Sequence, residues 1–218
     1  MRNGIIKKFA FAVITSSLVV NAHAVAPGFY MGFSAGPATN SASDQQVGLL
    51  NNVGTTIAKP KSSQFGSSIY MGYKMNQYAG FEGGIQYFSG IKYNTADIPV
   101  CGGLSARVRD FDVVGKGQFP ISSAFDVFGK AGMAFTYVTT SGALNSSASG
   151  ACGKAQYNNK IAPTVSIGAS YNINQSWVGD ITWTRIQVGG IVSNVDFFGL
   201  GFSYHFVDRY CGQFLCDS

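Results

Sequence analysis

The segment Asn194-Val195-Asp196-Phe197-Phe198-Gly199-Leu200-Gly201-Phe202-Ser203-Tyr204-His205-Phe206 decides the fold. From Phe198 onward every second residue is large and apolar (Phe198, Leu200, Phe202, Tyr204, Phe206), and those between are small or polar (Gly199, Gly201, Ser203, His205). Successive side chains of a strand point to opposite faces, so this stretch presents one aromatic face and one lean, polar face. Which face meets water is the question for the whole chain.

The N-terminus sets the compartment. Arg2, Lys7 and Lys8 precede an apolar run from Phe9 to Val20, and Ala22-His23-Ala24 has the small-x-small form of an export cleavage site. Residues 1–24 are therefore expected to be a cleaved signal peptide. The run is too short to span a bilayer as a helix, and no later stretch offers about 18 consecutive apolar residues. Of the formal net charge of +5, the three basic residues of this segment carry three, leaving +2 on the remainder. That small excess gives no reason to expect a nucleic-acid partner.

Composition excludes an ordinary secreted domain. Charged residues make up 11% of the chain, against about 25% in typical soluble proteins. A soluble barrel or sandwich needs charge on its outer face to stay dispersed. An outer face in contact with lipid does not, and the 28 glycines suit a narrow interior. The same period-two pattern recurs over Phe29 to Gly36, Phe65 to Met75, Tyr78 to Phe88, Phe111 to Phe119, Phe125 to Tyr137, Thr164 to Tyr171 and Trp177 to Thr184. With the segment at the C-terminal end this makes about eight strands, each near the length a tilted membrane strand requires.

The connections alternate in length. Asn76-Gln77, Pro120 to Ala124 and Asn172 to Ser176 are short; Pro37 to Lys61, Ser89 to Asp110 and Thr139 to Pro163 are long, with Arg185 to Asp196 intermediate. Short turns at one end and long loops at the other are the asymmetry of an outer-membrane barrel. The expected fold is all-β, an eight-stranded antiparallel transmembrane barrel over residues 25–206, with extracellular loops, periplasmic turns and a short periplasmic tail at 207–218.

Several segments resemble the OmpA-type membrane domain. Gly72-Tyr73-Lys74-Met75-Asn76-Gln77-Tyr78-Ala79-Gly80-Phe81-Glu82 is similar to its second hairpin, Gly199 to Phe206 to its closing strand, Gly28-Phe29-Tyr30-Met31-Gly32 to its first strand, and Asn172-Ile173-Asn174-Gln175-Ser176 to a periplasmic turn. The resemblance implies a location in the outer membrane of a Gram-negative bacterium, among outer-membrane lipids and lipopolysaccharide. It also implies delivery by periplasmic chaperones and insertion by the barrel assembly machinery, with Phe202, Tyr204 and Phe206 as the assembly signal. Only 12 residues follow Phe206, so peptidoglycan anchoring is not carried over. On the same resemblance Glu82 and Lys116 match members of the family's interior ion-pair cluster and Lys130 another interior basic position. Ser170 and Asp180 stand where the cluster has Glu and Arg. The expectation is a re-partnered plug of Glu82, Lys116, Lys130 and Asp180, against the simpler reading of separate charges solvated by lumen water. Tyr30, Tyr70 and Phe128 are expected to narrow the lumen further.

Cysteines in an exported chain are expected to be oxidised. Cys101 and Cys152 fall in long extracellular loops, while Cys211 and Cys216 lie beyond the last strand, so the topology pairs Cys101 with Cys152 and Cys211 with Cys216. Free thiols or an intermolecular bridge are the rival reading, and non-reducing peptide mapping separates them. Some small outer-membrane barrels modify lipid A with a His, a Ser and an acid near the outer leaflet. Here His23 leaves with the signal peptide, and His205 sits at the opposite, periplasmic rim, so no catalytic centre is expected. No His/Cys/Asp spacing points to a metal site, and no cofactor is implied.

The loops remain. The first joins a polar Asn/Ser/Thr-rich stretch to an apolar patch at Val47, Leu49 and Leu50 and a basic end at Lys59 and Lys61. Loops on a rigid scaffold commonly carry function. The expected role is structural or surface-interacting, adhesin-like toward a host or neighbouring cell, with a narrow or gated pore as the alternative and a lipid A-modifying enzyme the least favoured. The bland reading of the apolar patch is that it packs over the barrel mouth.

Overall fold

The computed structural model describes residues 27–48, 55–94, 105–141, 156–190 and 192–206. The strands are β1 (Gly28–Ala42), β2 (Gln45–Gly48), β3 (Thr55–Pro60), β4 (Ser63–Lys74), β5 (Ala79–Phe88), β6 (Ile91–Asn94), β7 (Ser105–Pro120), β8 (Phe125–Ser141), β9 (Gln156–Asn172), β10 (Trp177–Ile186) and β11 (Val192–His205). Eight of them close a ring of antiparallel neighbours in the order β1-β4-β5-β7-β8-β9-β10-β11, and β11 returns to pair with β1 from Tyr30↔His205 to Ala42↔Val192. Closure gives each of these eight strands two partners, so the ring leaves no open edge of N–H and C=O groups.

The short-turn end uses one device three times. Asn76 Oδ1 accepts from the N–H of Tyr78 (2.8 Å) and Ala79 (2.9 Å), Asn174 Oδ1 from Ser176 (2.9 Å) and Trp177 (2.8 Å), and Ser122 Oγ from Ala124 (3.3 Å) and Phe125 (3.1 Å). Each polar side chain replaces the hydrogen bonds the turn backbone loses, which is why Asn or Ser occupies each of these tight reversals.

Around the wall, the apolar phase points outward. Phe33, Ile69, Ile85, Val113, Met133, Ile167, Ile181 and Leu200 are exposed in a continuous belt, with aromatic rings below it at Phe29, Tyr73, Tyr78, Tyr171, Trp177 and Phe206. The alternate residues point into the lumen and are buried, including Tyr30, Glu82, Val114, Phe128, Ser170 and Ser203.

The strands run further at the long-loop end than their sequence pattern indicated. Residues 37–42 continue β1, 105–110 begin β7, 139–141 extend β8 and 156–163 begin β9, all within stretches expected as loop. Three further short strands lie in the first two loops: β2 with β3 (Val47↔Thr56), β3 with β6 (Pro60↔Tyr93) and β6 with β7 (Ile91↔Ala106). The reason is an inversion of phase. On upper β7 the outward residues are Arg107 and Arg109 and the inward ones Ala106 and Val108; on β10 and β11 Ile186, Val192 and Val195 are buried inside. Above the belt the wall is polar outside and apolar inside, as in a water-soluble barrel, so a search for outward apolar residues stops at the boundary.

Leu200 sits mid-belt, opposite Ala35 and Ile181 and 55% exposed. Leu200→Arg is expected to destabilise the barrel by about 2–4 kcal/mol in equilibrium unfolding from lipid vesicles, whereas Ser203→Ala on the lumen face shifts it by about 1 kcal/mol or less.

Candidate functional site

The lumen is organised by aromatic residues that each lie over a glycine on the next strand. Tyr30 pairs with Gly72 and Tyr70 with Gly32 across β1 and β4, and Phe128 pairs with Gly168 across β8 and β9. A Cβ on Gly72 would lie 2.6 Å from the Tyr30 ring, one on Gly32 2.6 Å from the Tyr70 ring, and one on Gly168 2.5 Å from Phe128. The glycines on the lean face thus let three large rings lie flat inside a narrow barrel.

Those rings surround charges. Glu82, 3% exposed, accepts a hydrogen bond from the Tyr30 hydroxyl at 2.7 Å, pairs with Lys116 at 3.2 Å and also pairs with Lys130. The two lysines are direct cross-strand neighbours on β7 and β8, an arrangement that is repulsive by itself. Glu82 bridges them, and the ring faces complete the cage: Lys116 Nζ lies 4.6 Å from the Phe128 centroid and 5.2 Å from that of Tyr30, and Lys130 Nζ lies 5.0 Å from Tyr70 and 5.2 Å from Phe128. Cation–π contacts gain strength where water is excluded.

Asp180 does not join an ion pair among the described residues. It accepts hydrogen bonds from the Tyr70 hydroxyl (2.9 Å) and the Thr182 hydroxyl (3.0 Å), and a Cβ on Gly201 opposite would come within 2.8 Å of its oxygens. The four residues singled out from sequence therefore share one layer as a three-membered ion cluster and a separate carboxylate held by hydroxyls. Further lumen charges went unremarked in the sequence: Asp112, which accepts from Gln86 Nε2 at 2.8 Å; Asp126, which accepts from Asn172 Nδ2 at 3.1 Å; Lys74; and Asp110. Their strand parity, the same as that of Glu82 and Lys116, was the signal that could have found them.

Above and below, the lumen is filled. Near the short-turn end His205 stacks on Tyr30 with centroids 4.7 Å apart and rings 14° from parallel, and its Nε2 lies 3.5 Å from Ser203 Oγ. The cavity between Glu82, Asp112, Lys130 and Asp180 is about 30 Å³, room for one or two waters. At the long-loop end Phe88, Ile91, Tyr93, Val108, Val138, Ile186, Val188, Val195 and Phe197 form an apolar cluster, with Phe88 and Phe197 meeting edge to face at 5.8 Å.

The other sequence candidates are distributed. Phe202, Tyr204 and Phe206 lie along the outer side of the last strand; Tyr204 meets Trp177 and Phe206 edge to face at 5.1 Å, and the Phe206 N–H donates to the Phe29 carbonyl at 2.9 Å. Val47 lies on β2 opposite Thr56. Leu49, Leu50, Cys101, Cys152, Cys211, Cys216, the segment 1–24 and the tail 207–218 lie outside the described residues.

A closed antiparallel barrel, lipid-facing outside and plugged inside, defines an integral outer-membrane protein. The chain belongs to the outer membrane protein beta-barrel domain family, whose pattern it matches over residues 9–206, and it is a protein of the Gram-negative outer membrane. It is 25% identical over 129 residues to outer membrane protein A of Yersinia pseudotuberculosis, an alignment covering 59% of this chain and 33% of that one, so the chain spans about a third of that relative's length. Solved structures with the same fold include Neisserial surface protein A (TM-score 0.54, 16% identity, 82% of this chain and 97% of that one) and OprG of Pseudomonas aeruginosa (0.54, 12%, 84% and 97%). Ail, the attachment invasion locus protein of Yersinia pestis, is a third (0.51, 14%, 82% and 99%). The short turns accordingly face the periplasm and the long loops the exterior.

Glu82→Gln leaves two lysines facing each other in a confined lumen. A loss of roughly 3–5 kcal/mol is expected in the unfolding equilibrium. A Glu82→Gln, Lys116→Met, Lys130→Met variant recovers part of it, because the facing lysines are gone, while the Asp112 and Asp180 carboxylates stay in the layer without a cation.

Proposed function

We propose that this barrel is a non-conducting, non-enzymatic scaffold that presents its extracellular rim and loops for surface interaction. The observation that carries the reading is the layering of the lumen. The cluster of Glu82, Lys116 and Lys130 closes it at mid-height, and the apolar layer of Phe88, Val108, Ile186, Val195 and Phe197 closes it again above. Ions crossing such a layer would have to shed water against apolar side chains. The polar cavity beside Asp180 favours a narrow pore as the second reading, yet its roughly 30 Å³ lies beneath that apolar layer.

Surface attachment agrees with a wall that continues above the lipid belt through β2, β3, β6 and the upper parts of β7 to β9. The fold carries attachment in Ail, whose structure has also been solved with the heparin analogue sucrose octasulfate. The apolar triplet Val47, Leu49 and Leu50 in the first loop is the proposed contact with a host or neighbouring cell. Export by residues 1–24, escort by periplasmic chaperones and insertion by the barrel assembly machinery through Phe202, Tyr204 and Phe206 complete the reading.

Two measurements test it. The purified, refolded chain in planar bilayers is expected to show no steady conductance at neutral pH, and a sustained open level would favour the pore. Replacing residues 46–57 with a Gly/Ser linker, with insertion checked by heat-modifiable migration, is expected to abolish most binding to target cells; unchanged binding would remove the loop from the proposal.

A further inference from the structure

Two carboxylates occupy successive lumen-facing positions of β7, Asp110 and Asp112, and neither enters an ion pair among the described residues. Asp112 accepts from Gln86 Nε2 at 2.8 Å. Asp110, the higher of the two, is 2% exposed, and both of its oxygens lack a hydrogen-bond partner. Its neighbour on β8, Thr136, spends its hydroxyl on the Lys160 carbonyl at 3.0 Å. A buried carboxylate without a partner is costly, and the fold needs something to offset it.

The register shows what stands beside it. Ser34, Ser68, Gln86 and Asp110 are successive cross-strand partners over β1, β4, β5 and β7. Adjacent strands lie about 4.8 Å apart, and the wall curves, so the inward side chains of this row converge toward the barrel axis. Ser34, Ser68, Gln86 and Asp112 all line the lumen cavity of about 30 Å³. Gln86 is 5% exposed; with its Nε2 given to Asp112, it brings to that cavity an Oε1 that has no partner.

Charge points the same way. Around this height Lys116 and Lys130 face four carboxylates, those of Glu82, Asp110, Asp112 and Asp180, so two negative charges are left over. The other lumen-side lysines lie at the ends: Lys74 at the short turns, and Lys160 exposed at the long loops. Lys130 lines the cavity too, but Glu82 and the ring faces of Tyr70 and Phe128 hold its ammonium, which leaves the upper side toward Asp110 open to a cation. Water satisfies oxygens without balancing charge, whereas a divalent cation does both. No three His, Cys, Asp or Glu side chains form a metal-binding group among the described residues, so the donors are carboxylate, amide and hydroxyl oxygens, a set for a hard cation. Mg²⁺ keeps several waters, which a cavity this small does not hold; Ca²⁺ accepts an irregular oxygen set at about 2.3–2.6 Å. We infer that the lumen binds one calcium ion between β5 and β7, with Asp110, Asp112 and Gln86 as its principal ligands and the hydroxyls of Ser34 and Ser68 beside it. The apolar layer above closes the site, so the ion enters as the barrel forms and stays as part of the plug, whatever the loops bind.

The test refolds the full chain into vesicles of zwitterionic phosphatidylcholine, which offer no anionic headgroup to calcium. The medium is held at about pH 9, where ordinary carboxyl groups are ionised, and at one ionic strength, with EDTA, with about 1 mM free Ca²⁺ or Mg²⁺, or with added Na⁺. Two carboxylates among neutral oxygens give a dissociation constant of about 10⁻⁴ M, so the folding equilibrium constant is expected to rise about tenfold in Ca²⁺ and less than about twofold in Mg²⁺ or Na⁺. Barrels formed in Ca²⁺ and then washed with chelator should retain about one calcium per chain by elemental analysis, as the closed site requires. The Asp110→Asn, Asp112→Asn variant should retain none and fold equally well with and without Ca²⁺, while Asp196→Asn on the rim keeps both effects. Should the double variant fail to insert, Asp110→Asn alone is expected to cut the rise to below about threefold. A wild type indifferent to Ca²⁺, an equal response to Mg²⁺ or Na⁺, or calcium retained by the double variant would each overturn the assignment.

Discussion

A backbone in hydrocarbon has no water to satisfy its N–H and C=O groups, and each group left open costs several kcal/mol. The pairing of β11 with β1 meets this constraint. It joins the two ends of the barrel chain, turns an open sheet into a ring, and forces each residue to face either lipid or lumen. Everything else in the molecule adjusts to that choice. The outer face became aromatic and aliphatic; the inner face became small enough to fit and polar enough to be distinguished from the outer one.

The interior of an eight-stranded ring is just wide enough for side chains to fill, and here it is packed in layers. The glycines opposite Tyr30, Tyr70 and Phe128 make space for rings, the rings screen two neighbouring lysines, and Glu82 bridges them. These contacts depend on one another, since removing the Glu82 carboxylate leaves the two lysines facing each other with only the more distant Asp112 and Asp180 carboxylates in the layer. The apolar layer above behaves as the core of a soluble protein. The barrel thereby presents to the exterior a rim whose backbone is fixed from below, which is the condition under which loops can hold a defined shape.

The belt was legible in the sequence because period two is unambiguous when one phase must be apolar for lipid and the other small for the lumen: Phe198 to Phe206 and Phe65 to Met75 show it directly. The upper wall was not, for a physical reason. Above the belt Arg107 and Arg109 face out and Ala106 and Val108 face in, so the alternation persists with its phase reversed and reads as irregular loop to a search for outward apolar side chains. In the lumen, Glu82, Lys116 and Lys130 were identifiable from the strand pattern and the family resemblance. That Glu82 would take both lysines while Asp180 turned to Tyr70 and Thr182 depends on strand stagger, which composition and spacing do not encode.

The central claim is that a single strand reverses its solvent preference at the lipid boundary while keeping its period. Nitroxide labels placed one at a time from Asn194 to Phe206, in a Cys101→Ser, Cys152→Ser, Cys211→Ser, Cys216→Ser background refolded into lipid vesicles, test it directly. Collision with oxygen dissolved in lipid should peak at 198, 200, 202, 204 and 206 and fall at the residues between. Collision with a water-soluble nickel complex should instead rise at 194 and 196. Uniform water accessibility along the segment, or lipid accessibility continuing unbroken through 196 and 194, would contradict the account.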